Sequence, residues 1–225
     1  MNDNLAQILS EKEVFCKFPD RECKLLAEHA LRRQLEGDAF LCRQGEIWPY
    51  VVLITAGQLR WKMLSSSGKE HQLFALQGGD VFWSHSLFDD QPMPASLQAA
   101  ERVEVFVWHR DVILPLLKKY PEAMWEIPRL LTRIMRQARE IIYGLAFQPV
   151  AGRLAVYLME HVGDPEKETL EREMTLEEMA AVLATSPEVV CRLLYQLQSD
   201  EVIKITRTHI TLKDREALQK IIELS

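Results

Sequence analysis

A change in the period of the apolar residues between positions 127 and 145 constrains the fold of this chain most. Within this segment apolar residues recur at alternating steps of four and three, which places them in a stripe along one long helix. The stripe consists of Ile127, Leu131, Ile134, Ala138, Ile141 and Leu145. Such a helix can lie on its own domain, but a stripe this regular with charged flanks favours pairing with a second copy. We therefore predict a homodimer joined through this helix.

The segment before the stripe has the pattern of a β domain. After a short N-terminal helical stretch, residues 35–108 form short apolar runs with turn residues between them. The runs are AFLCRQGE, YVVLITAGQL, RWKMLSSSGKE, HQLFALQGGDVF and VEVFVWHRD, and Gly45, Gly57, Gly68, Gly78 and Gly79 mark the breaks. Short strands with regular glycine punctuation predict a compact all-β barrel or jelly roll.

The segment after the stripe has the pattern of a helix-turn-helix followed by a hairpin. Pro149 ends the long helix, a new helix starts near Arg153, and the loop GDPEKETLERE follows, with Gly163 and Pro165 as breakers. Thr175 and Glu178 fit a capping box, and Ser186 can cap the next helix, which has a proline at its first position. The final VIKITRTHITL, residues 202–212, alternates like a two-stranded wing.

The helix that starts at residue 187 has two distinct faces. Helical spacing puts one apolar set inward, against Met179 and Leu183, and this set is Val190, Leu193, Leu194 and Leu197. The outward set is Glu188, Val189, Arg192 and Gln196. Arginine can bond both acceptors of guanine and glutamate can accept from the cytosine amino group, so this face is typical of a recognition helix. A surface ion pair between Glu188 and Arg192 is the alternative.

Length, the length of the apolar runs and cysteine spacing argue against several classes of protein. A chain of 225 residues fits two small domains, and the first ten residues lack a signal-peptide pattern. No run reaches the ~18–20 apolar residues of a membrane span, so we expect a cytoplasmic protein without membrane contact. Four cysteines without a C-x-x-C pair indicate reduced thiols. No catalytic constellation or metal cluster has diagnostic spacing, and we predict no enzyme.

Together these segments resemble the CRP/FNR superfamily of bacterial transcription regulators. The resemblance rests on RQGE (43–46), ITAGQL (54–59), GGDVF (78–82), FQPVAGRLAVYL (147–158) and TLEEMAAVLATSPEVVCRLLYQL (175–197). It implies an α+β protein with a cyclic-nucleotide-binding-like β-roll sensor domain at 1–120, a dimerisation helix at 121–146 and a winged helix-turn-helix at 147–225. The recognition helix would be 187–198. The implied partners are a palindromic DNA operator, a second copy of the chain, RNA polymerase and a small effector.

The resemblance also assigns residues to the DNA contact. Glu188, Val189 and Arg192 would read bases, and Thr175, Ser186, Lys204 and Arg207 would contact the backbone, with Lys213 and Arg215 as further candidates. CRP itself has a base-reading arginine where this chain has Pro187, so an FNR-like half-site containing TGA is expected. Ala184 stands where the family often has glycine. Residues 147–225 carry 9 Lys and Arg against 14 Asp and Glu, which predicts modest non-specific affinity.

The resemblance makes a cyclic nucleotide the first effector to consider, but this chain departs from the family at the residues that bind it. Family members that bind cyclic AMP use a glutamate for the ribose and an arginine followed by serine or threonine for the phosphate. The corresponding positions here are Ser84, Pro94 and Ala95, and no arginine lies between residues 83 and 100. A buried phosphate without a cation is unfavourable. We therefore predict no physiological binding of cyclic AMP.

Other sensors stay open. The spacing of Cys16, Cys23 and Cys42 argues against an FNR-type iron-sulfur cluster, and Cys191 is either a redox switch or a small groove-facing residue. FWSHS (82–86) is similar to a stretch of carbon-monoxide-sensing haem members, which makes His85 a possible haem ligand. A small organic effector is the remaining option, and its pocket would use Trp61, Trp83, Ser84, His85 and Arg60, with Trp48 and Arg43 nearby. A ligand-binding module that does not bind DNA is the alternative class.

Overall fold

A computed structural model describes residues 2–161, 169–171 and 174–224. The chain divides into two compact units, residues 1–68 with 72–137 and residues 69–71 with 138–225. Gly163 and Pro165, the predicted loop breakers, lie outside the described residues, as does most of the GDPEKETLERE segment.

The first unit combines helices at its ends with eight strands. Its elements are α1 (Asn2–Ser10), a 3-10 turn (Phe15–Lys17), α2 (Asp20–His29), β1 (Leu31–Leu35), β2 (Phe40–Cys42), β3 (Tyr50–Ala56), β4 (Gln58–Leu64), β5 (Glu70–Gln77), β6 (Val81–Trp83), α3 (Ser86–Asp89), β7 (Ser96–Ala99), β8 (Val103–His109), α4 (Arg110–Lys119) and the first part of α5 (Pro121–Phe147).

The strands form two four-stranded sheets, in the orders β1-β8-β3-β6 and β2-β7-β4-β5. The pairs β3-β8 and β4-β7 are antiparallel, with Val52 opposite Val107 and Trp61 opposite Leu97. The predicted jelly-roll domain is thus confirmed. The sequence prediction missed β1 and β7, because β1 is a largely exposed edge strand and β7 is only four residues long.

Strand β3 belongs to two cores at once. Val51 and Leu53 pack with the helices in a cluster around Trp108, whereas Val52 and Ile54 point into the space between the two sheets. All four are fully buried, since alternate residues of a strand face opposite sides and both sides are covered here. The Trp108 indole N–H donates to the Leu26 carbonyl at 2.7 Å, which fixes α2 on the β-roll.

Gly57, in the ITAGQL segment, is required by the turn between β3 and β4. Its φ is +76°, and a Cβ built there would lie 2.3 Å from the carbonyl oxygen of Arg102. A side chain would therefore clash with backbone that has no freedom to move.

The second unit begins within α5 and carries the helix-turn-helix. It continues with α6 (Val150–His161), β9 (Thr169–Glu171), α7 (Leu176–Val182), α8 (Pro187–Ser199), β10 (Ile203–Ile205), β11 (His209–Leu212) and α9 (Arg215–Glu223). Its core joins α6, α7, α8 and the strands, with Leu154, Leu158, Val190 and Ile210 fully buried. The predicted wing is the hairpin β10-β11, which β9 extends to three strands. The sequence prediction did not include α9.

Candidate DNA-reading helix and sensor cavity

A capping box begins α7, and one left-handed residue shapes the turn between α7 and α8. Thr175 and Glu178 form the predicted capping box: the Thr175 hydroxyl accepts from Glu178 N at 3.1 Å, and Glu178 Oε2 accepts from Thr175 N at 2.8 Å. Ala184, at the position where relatives often have glycine, has φ +49°. An alanine in the left-handed region carries a strain that glycine would avoid. The sequence therefore holds a tight turn at this point at some energetic cost.

Helix α8 presents the predicted outward face. Val190, Leu194 and Leu197 are buried in the core with Met179 and Leu183. Glu188 and Arg192 are exposed, Val189 is half-buried and Gln196 is exposed. No ion pair joins Glu188 to Arg192, and within the described part of the chain the Arg192 guanidinium has no hydrogen-bond partner. The surface ion pair that the spacing allowed is therefore absent, and the donors of Arg192 are available to a ligand.

Ser186 differs in detail from its predicted role. It occupies the N-cap position of α8, but its side chain makes no capping hydrogen bond to the helix backbone. The hydroxyl instead bonds to the Glu188 carboxylate, and this hydrogen bond lowers the pKa of Glu188. Glu188 is thus held as an ionised acceptor on the first turn of the helix.

The exposed basic residues of the wing lie on its first strand and in its turn. Lys204 is on β10 and Arg207 is in the turn, which is closed by hydrogen bonds between Thr206 and His209. Both basic side chains are exposed, as are Thr175, Lys213 and Arg215. These residues have the exposure that a contact with phosphate requires.

The surface of α5 carries a wider apolar stripe than the sequence prediction gave. Leu131, Met135, Ile142 and Leu145 are 43%, 72%, 64% and 42% exposed. Ile134, Ala138 and Ile141 are half-buried along the same helix. Met135 and Ile142 were missed because the prediction followed a single heptad register, whereas both join Leu131, Ala138 and Leu145 at the same alternating steps.

Ile127 was assigned to the dimer stripe, and here the structure corrects the assignment. Its side chain is 4% exposed and packs in the core of the first unit with Ala123, Ile113 and Leu117. Because this surface is already covered by the same chain, Ile127 offers almost no area to a partner. The available stripe begins at Leu131.

A cavity of about 650 Å³ lies in the first unit. Its wall comes from separate segments of the chain: residues 12–15, Trp61, residues 74–76 and 79–85, Phe88, Asp89, and, from α5, Ile127, Leu130, Leu131, Ile134 and Gln137. Two aromatic groups dominate it. Trp61 stacks on Phe74 with ring centroids 5.6 Å apart, and Trp83 stacks on Phe15 at 5.7 Å.

The charges on the wall disfavour an anion. Among the described residues that line the cavity, Lys12 is the one lysine or arginine, against the carboxylates of Glu13, Asp80 and Asp89. His85 adds no charge at neutral pH, because partial burial lowers the pKa of its imidazole. A phosphate would therefore enter a site of negative net charge.

The predicted effector residues divide into two groups. Trp61, Trp83, Ser84 and His85 line the cavity, whereas Arg60 and Trp48 do not. Arg60 precedes Trp61 on β4, and neighbouring residues of a strand point to opposite faces, so only one of the two can face the cavity. Trp48 lies in the core between the sheets, and Arg43 stacks on the Phe40 ring at 3.9 Å. These corrections leave a pocket of aromatic residues without an arginine.

The three positions that correspond to the cyclic-AMP ligands have other roles. Ser84 is fully buried, and its hydroxyl accepts a hydrogen bond from Tyr50 N at 3.1 Å. Pro94 is exposed and does not line the cavity, and Ala95 is fully buried in the core between the sheets. None of these side chains supplies a cation or a free carboxylate.

His85 and the cysteines are the remaining sensor candidates. The His85 ring lies 5.2 Å from the Trp61 ring at the start of α3. Cys16 is exposed, whereas Cys23 and Cys42 are buried, and burial raises the pKa of the Cys42 thiol to about 12. A thiol with such a pKa supplies almost no thiolate, which is the form that binds metal. Cys191 is half-buried on α8.

Comparison with known proteins identifies both halves of this architecture. Residues 32–120 match the model of the cyclic nucleotide-binding domain, and residues 152–221 match the Crp-like helix-turn-helix domain. The chain belongs to the CRP/FNR superfamily of transcription regulators. Members of this superfamily are effector-responsive, DNA-binding regulators and not enzymes.

Curated relatives match the regulator along most of its length. The cyclic AMP receptor protein of Thermus thermophilus is 26% identical over 178 residues, which cover 79% of this chain and 82% of the relative. A CRP-like cAMP-activated global transcriptional regulator of Mycobacterium tuberculosis is 25% identical over 201 residues, which cover 85% and 90%.

Solved structures support the same fold. A mutant of CooA from Carboxydothermus hydrogenoformans has a TM-score of 0.75 at 21% identity and covers 97% of this chain and 95% of its own. FixK2 from Bradyrhizobium japonicum has a TM-score of 0.71 at 19% identity, with coverages of 85% and 96%. None of the described helices of the regulator has the length and apolar content that a bilayer crossing requires.

Proposed function

We propose that this regulator is a homodimer that reads an inverted-repeat operator through residues 187–198. The observation that carries the proposal is the free Arg192 guanidinium beside an ionised Glu188 on the first turns of α8. Arginine fits the two acceptors of guanine and glutamate fits the cytosine amino group, so the couple can read a G·C pair and its neighbour. Val189 offers methyl groups to thymine on the same face.

The expected sequence of the half-site depends on the residue that precedes Glu188. Pro187 has no hydrogen-bond donor on its side chain, so the base contact that arginine makes at this position in CRP is missing. We propose a half-site that contains TGA. Backbone contacts would come from Thr175, Ser186, Lys204 and Arg207, which lie in the helix-turn-helix and the wing. The net charge of residues 147–225 predicts a modest dependence on salt.

Dimerisation is supported by the stripe on α5 that begins at Leu131. Its large apolar side chains are exposed in one chain, and such a continuous apolar surface marks an interface. A twofold axis along two paired helices would present two copies of α8 to half-sites roughly one helical turn apart. In this proposal residues 1–120 sense the effector, 121–146 dimerise and 147–225 bind DNA, with RNA polymerase as the further partner.

The cavity of the first unit is the proposed effector site. Its aromatic wall and its three carboxylates favour a small molecule without negative charge. The buried Trp61 indole N–H has no hydrogen-bond partner among the described residues. A ligand with an acceptor atom would satisfy this donor, since buried polar groups are rarely left unpaired. Effector binding against α5 would then shift the pairing of the two chains.

Haem is a second candidate for the same cavity. The observation in its favour is the neutral His85 imidazole on the cavity wall, which is the form that ligates iron. His85 would hold the haem iron, and the bound haem would supply a binding site for a diatomic gas. The absorption spectrum of the purified protein, before and after reconstitution with haemin, decides between the two. A sharp Soret band that is lost in His85→Ala would favour haem, and a featureless spectrum would favour the organic effector.

Selection from random DNA tests the proposed function as a whole. The purified regulator, with and without cell extract, should enrich an inverted repeat with a G·C pair at the same place in each half-site. An enriched sequence without symmetry would contradict the dimeric reading mode. No enrichment under either condition would favour the alternative, a ligand-binding module that does not act on DNA.

A further inference from the structure

One half-buried cation of the second unit, Arg153, makes contacts that the proposed DNA contact does not explain. The Arg153 side chain is half-buried on the first turns of α6, and its hydrogen bonds to the described residues all go to neutral carbonyl groups. Burial without a carboxylate lowers the pKa of this guanidinium. A cation held in such a place needs compensation from hydrogen bonds.

The hydrogen bonds of Arg153 join two distant segments. Its Nε and Nη2 donate to the carbonyl oxygen of Leu183 at 3.1 and 2.9 Å, and its Nη1 donates to the carbonyl oxygen of Gln148 at 2.7 Å. Leu183 is the C-cap residue that directly follows α7, and Gln148 directly follows α5. The last carbonyls of a helix have no partner within it, and a cation is favourable at that end. One guanidinium therefore donates hydrogen bonds to carbonyl groups at the C-terminal ends of two helices.

The contacts around this guanidinium are close on both sides. Gln148 N donates to Gly144 O at 3.1 Å, and a Cβ built on Gly144 would lie 3.7 Å from Cδ of Arg153. The stem of Arg153 thus packs against α5 itself. On the other side, Leu183 precedes Ala184, whose left-handed φ reverses the chain into α8. The position of the Leu183 carbonyl therefore sets where the recognition helix begins.

We propose that Arg153 is the positioning residue that fixes the helix-turn-helix to the end of α5. A movement of α5 would then move α8 as one body, and the geometry of the dimer would decide the spacing of the two recognition helices. This inference rests on the proposed function, since it concerns how the same helix α8 is presented to DNA. It adds a residue that touches neither the bases nor the cavity.

Two variants of the full chain test it. Arg153→Lys keeps the charge, but a single ammonium group on a lysine stem cannot reproduce the planar fork that reaches both carbonyls. Arg153→Met keeps only the stem. The matched control is Ile210→Val, a small loss of core volume in the same unit that leaves the Arg153 contacts intact. Affinity for the selected operator, thermal unfolding and amide hydrogen exchange are measured for all of them.

We expect Arg153→Lys to bind the operator at least 10-fold more weakly than the wild type, at a temperature where both are folded. Ile210→Val should bind the operator as tightly as the wild type does, even if its unfolding temperature falls as far as that of Arg153→Lys. Exchange of backbone amides should become faster in two segments together, 144–150 and 183–190, because one side chain holds both. Arg153→Met should show the same paired loss of protection, to a greater extent.

Two results would overturn the role of Arg153. The first is wild-type operator affinity in Arg153→Lys, and the second is loss of protection in only one of the two segments. The proposed function is judged separately, on the wild type alone. If the wild type selects no DNA, the proposed function fails, and the paired exchange of the two segments still decides whether Arg153 couples them.

Discussion

The recognition helix and the sensor cavity differ in how their residues are distributed along the chain. Glu188, Val189 and Arg192 lie within five consecutive residues of one helix, and their exposure follows from helical spacing. The cavity takes its wall from the N-terminal segment, three strands, α3 and α5. A site on one element can be inferred from its period, whereas a site between elements depends on how they pack. The proposed DNA contact of the regulator is therefore much better defined than its proposed effector.

The largest expected effect is on the DNA side of this comparison. Arg192→Ala removes the proposed guanine contact from both proposed half-sites, and each such contact discriminates by about 1–3 kcal/mol. We expect operator affinity to fall by about 10²–10⁴-fold in fluorescence anisotropy, with unchanged circular dichroism and dimer mass. Lys220→Ala removes an equal charge from α9 and is the control. A similar loss in both variants would mean that Arg192 contributes only charge.

The next effect concerns α5, which connects the two regions. Met135→Glu places a carboxylate on the proposed dimer stripe and removes apolar burial that contributes about 1.5–3 kcal/mol for a Met side chain. The dimer should dissociate roughly 10–100-fold more readily in sedimentation equilibrium. Thr132→Glu adds the same charge at another exposed position of α5 and should leave the dimer intact. Unchanged mass in Met135→Glu would move the interface elsewhere.

A smaller effect concerns how fast the cysteine thiols react with an alkylating reagent. Iodoacetamide at pH 8 should label exposed Cys16 and, more slowly, Cys191, but not Cys42, whose pKa of about 12 leaves about one thiol in 10⁴ ionised. Labelling of Cys191 should weaken operator binding, because the adduct stands beside Arg192. Mass mapping of peptides measures both. If Cys191→Ser also lost affinity without labelling, the thiol itself would be part of the DNA contact.

The smallest expected effect is that of cyclic AMP, for which we expect no binding and no change in operator affinity. Cyclic AMP should release no measurable heat on titration into the regulator and should leave operator affinity unchanged, because the cavity wall has three carboxylates and one lysine. A micromolar dissociation constant by calorimetry would contradict the effector half of the comparison. It would leave the DNA half untouched.

The sequence predicted those parts of the fold that have a local period or a local cap. The capping box of Thr175, the helix-turn-helix and the hairpin of the wing were expected and are present, because each depends on neighbouring residues. The edge strand β1 and the short strand β7 were not expected, since their pairing depends on residues far along the chain.

For the candidate sites, spacing along the sequence likewise did not show which side chains packing would bury and which it would expose. The burial of Ile127 and the exposure of Met135 could not be separated by spacing, because both are apolar residues of one helix and only packing on the β-roll distinguishes them. Arg60 was grouped with Trp61 by proximity in sequence, although a strand turns the two side chains to opposite faces. Arg153 had no predicted role, because its partners lie five and thirty residues away.

The number of chains on a single operator tests the central proposal most directly. Native mass spectrometry compares a duplex that carries the selected inverted repeat with one in which half of the repeat is scrambled. Two chains should bind the intact duplex, and binding to the scrambled duplex should fall by orders of magnitude, because two recognition helices act together. One chain bound with equal strength to both duplexes would show that the regulator reads DNA without the paired scaffold.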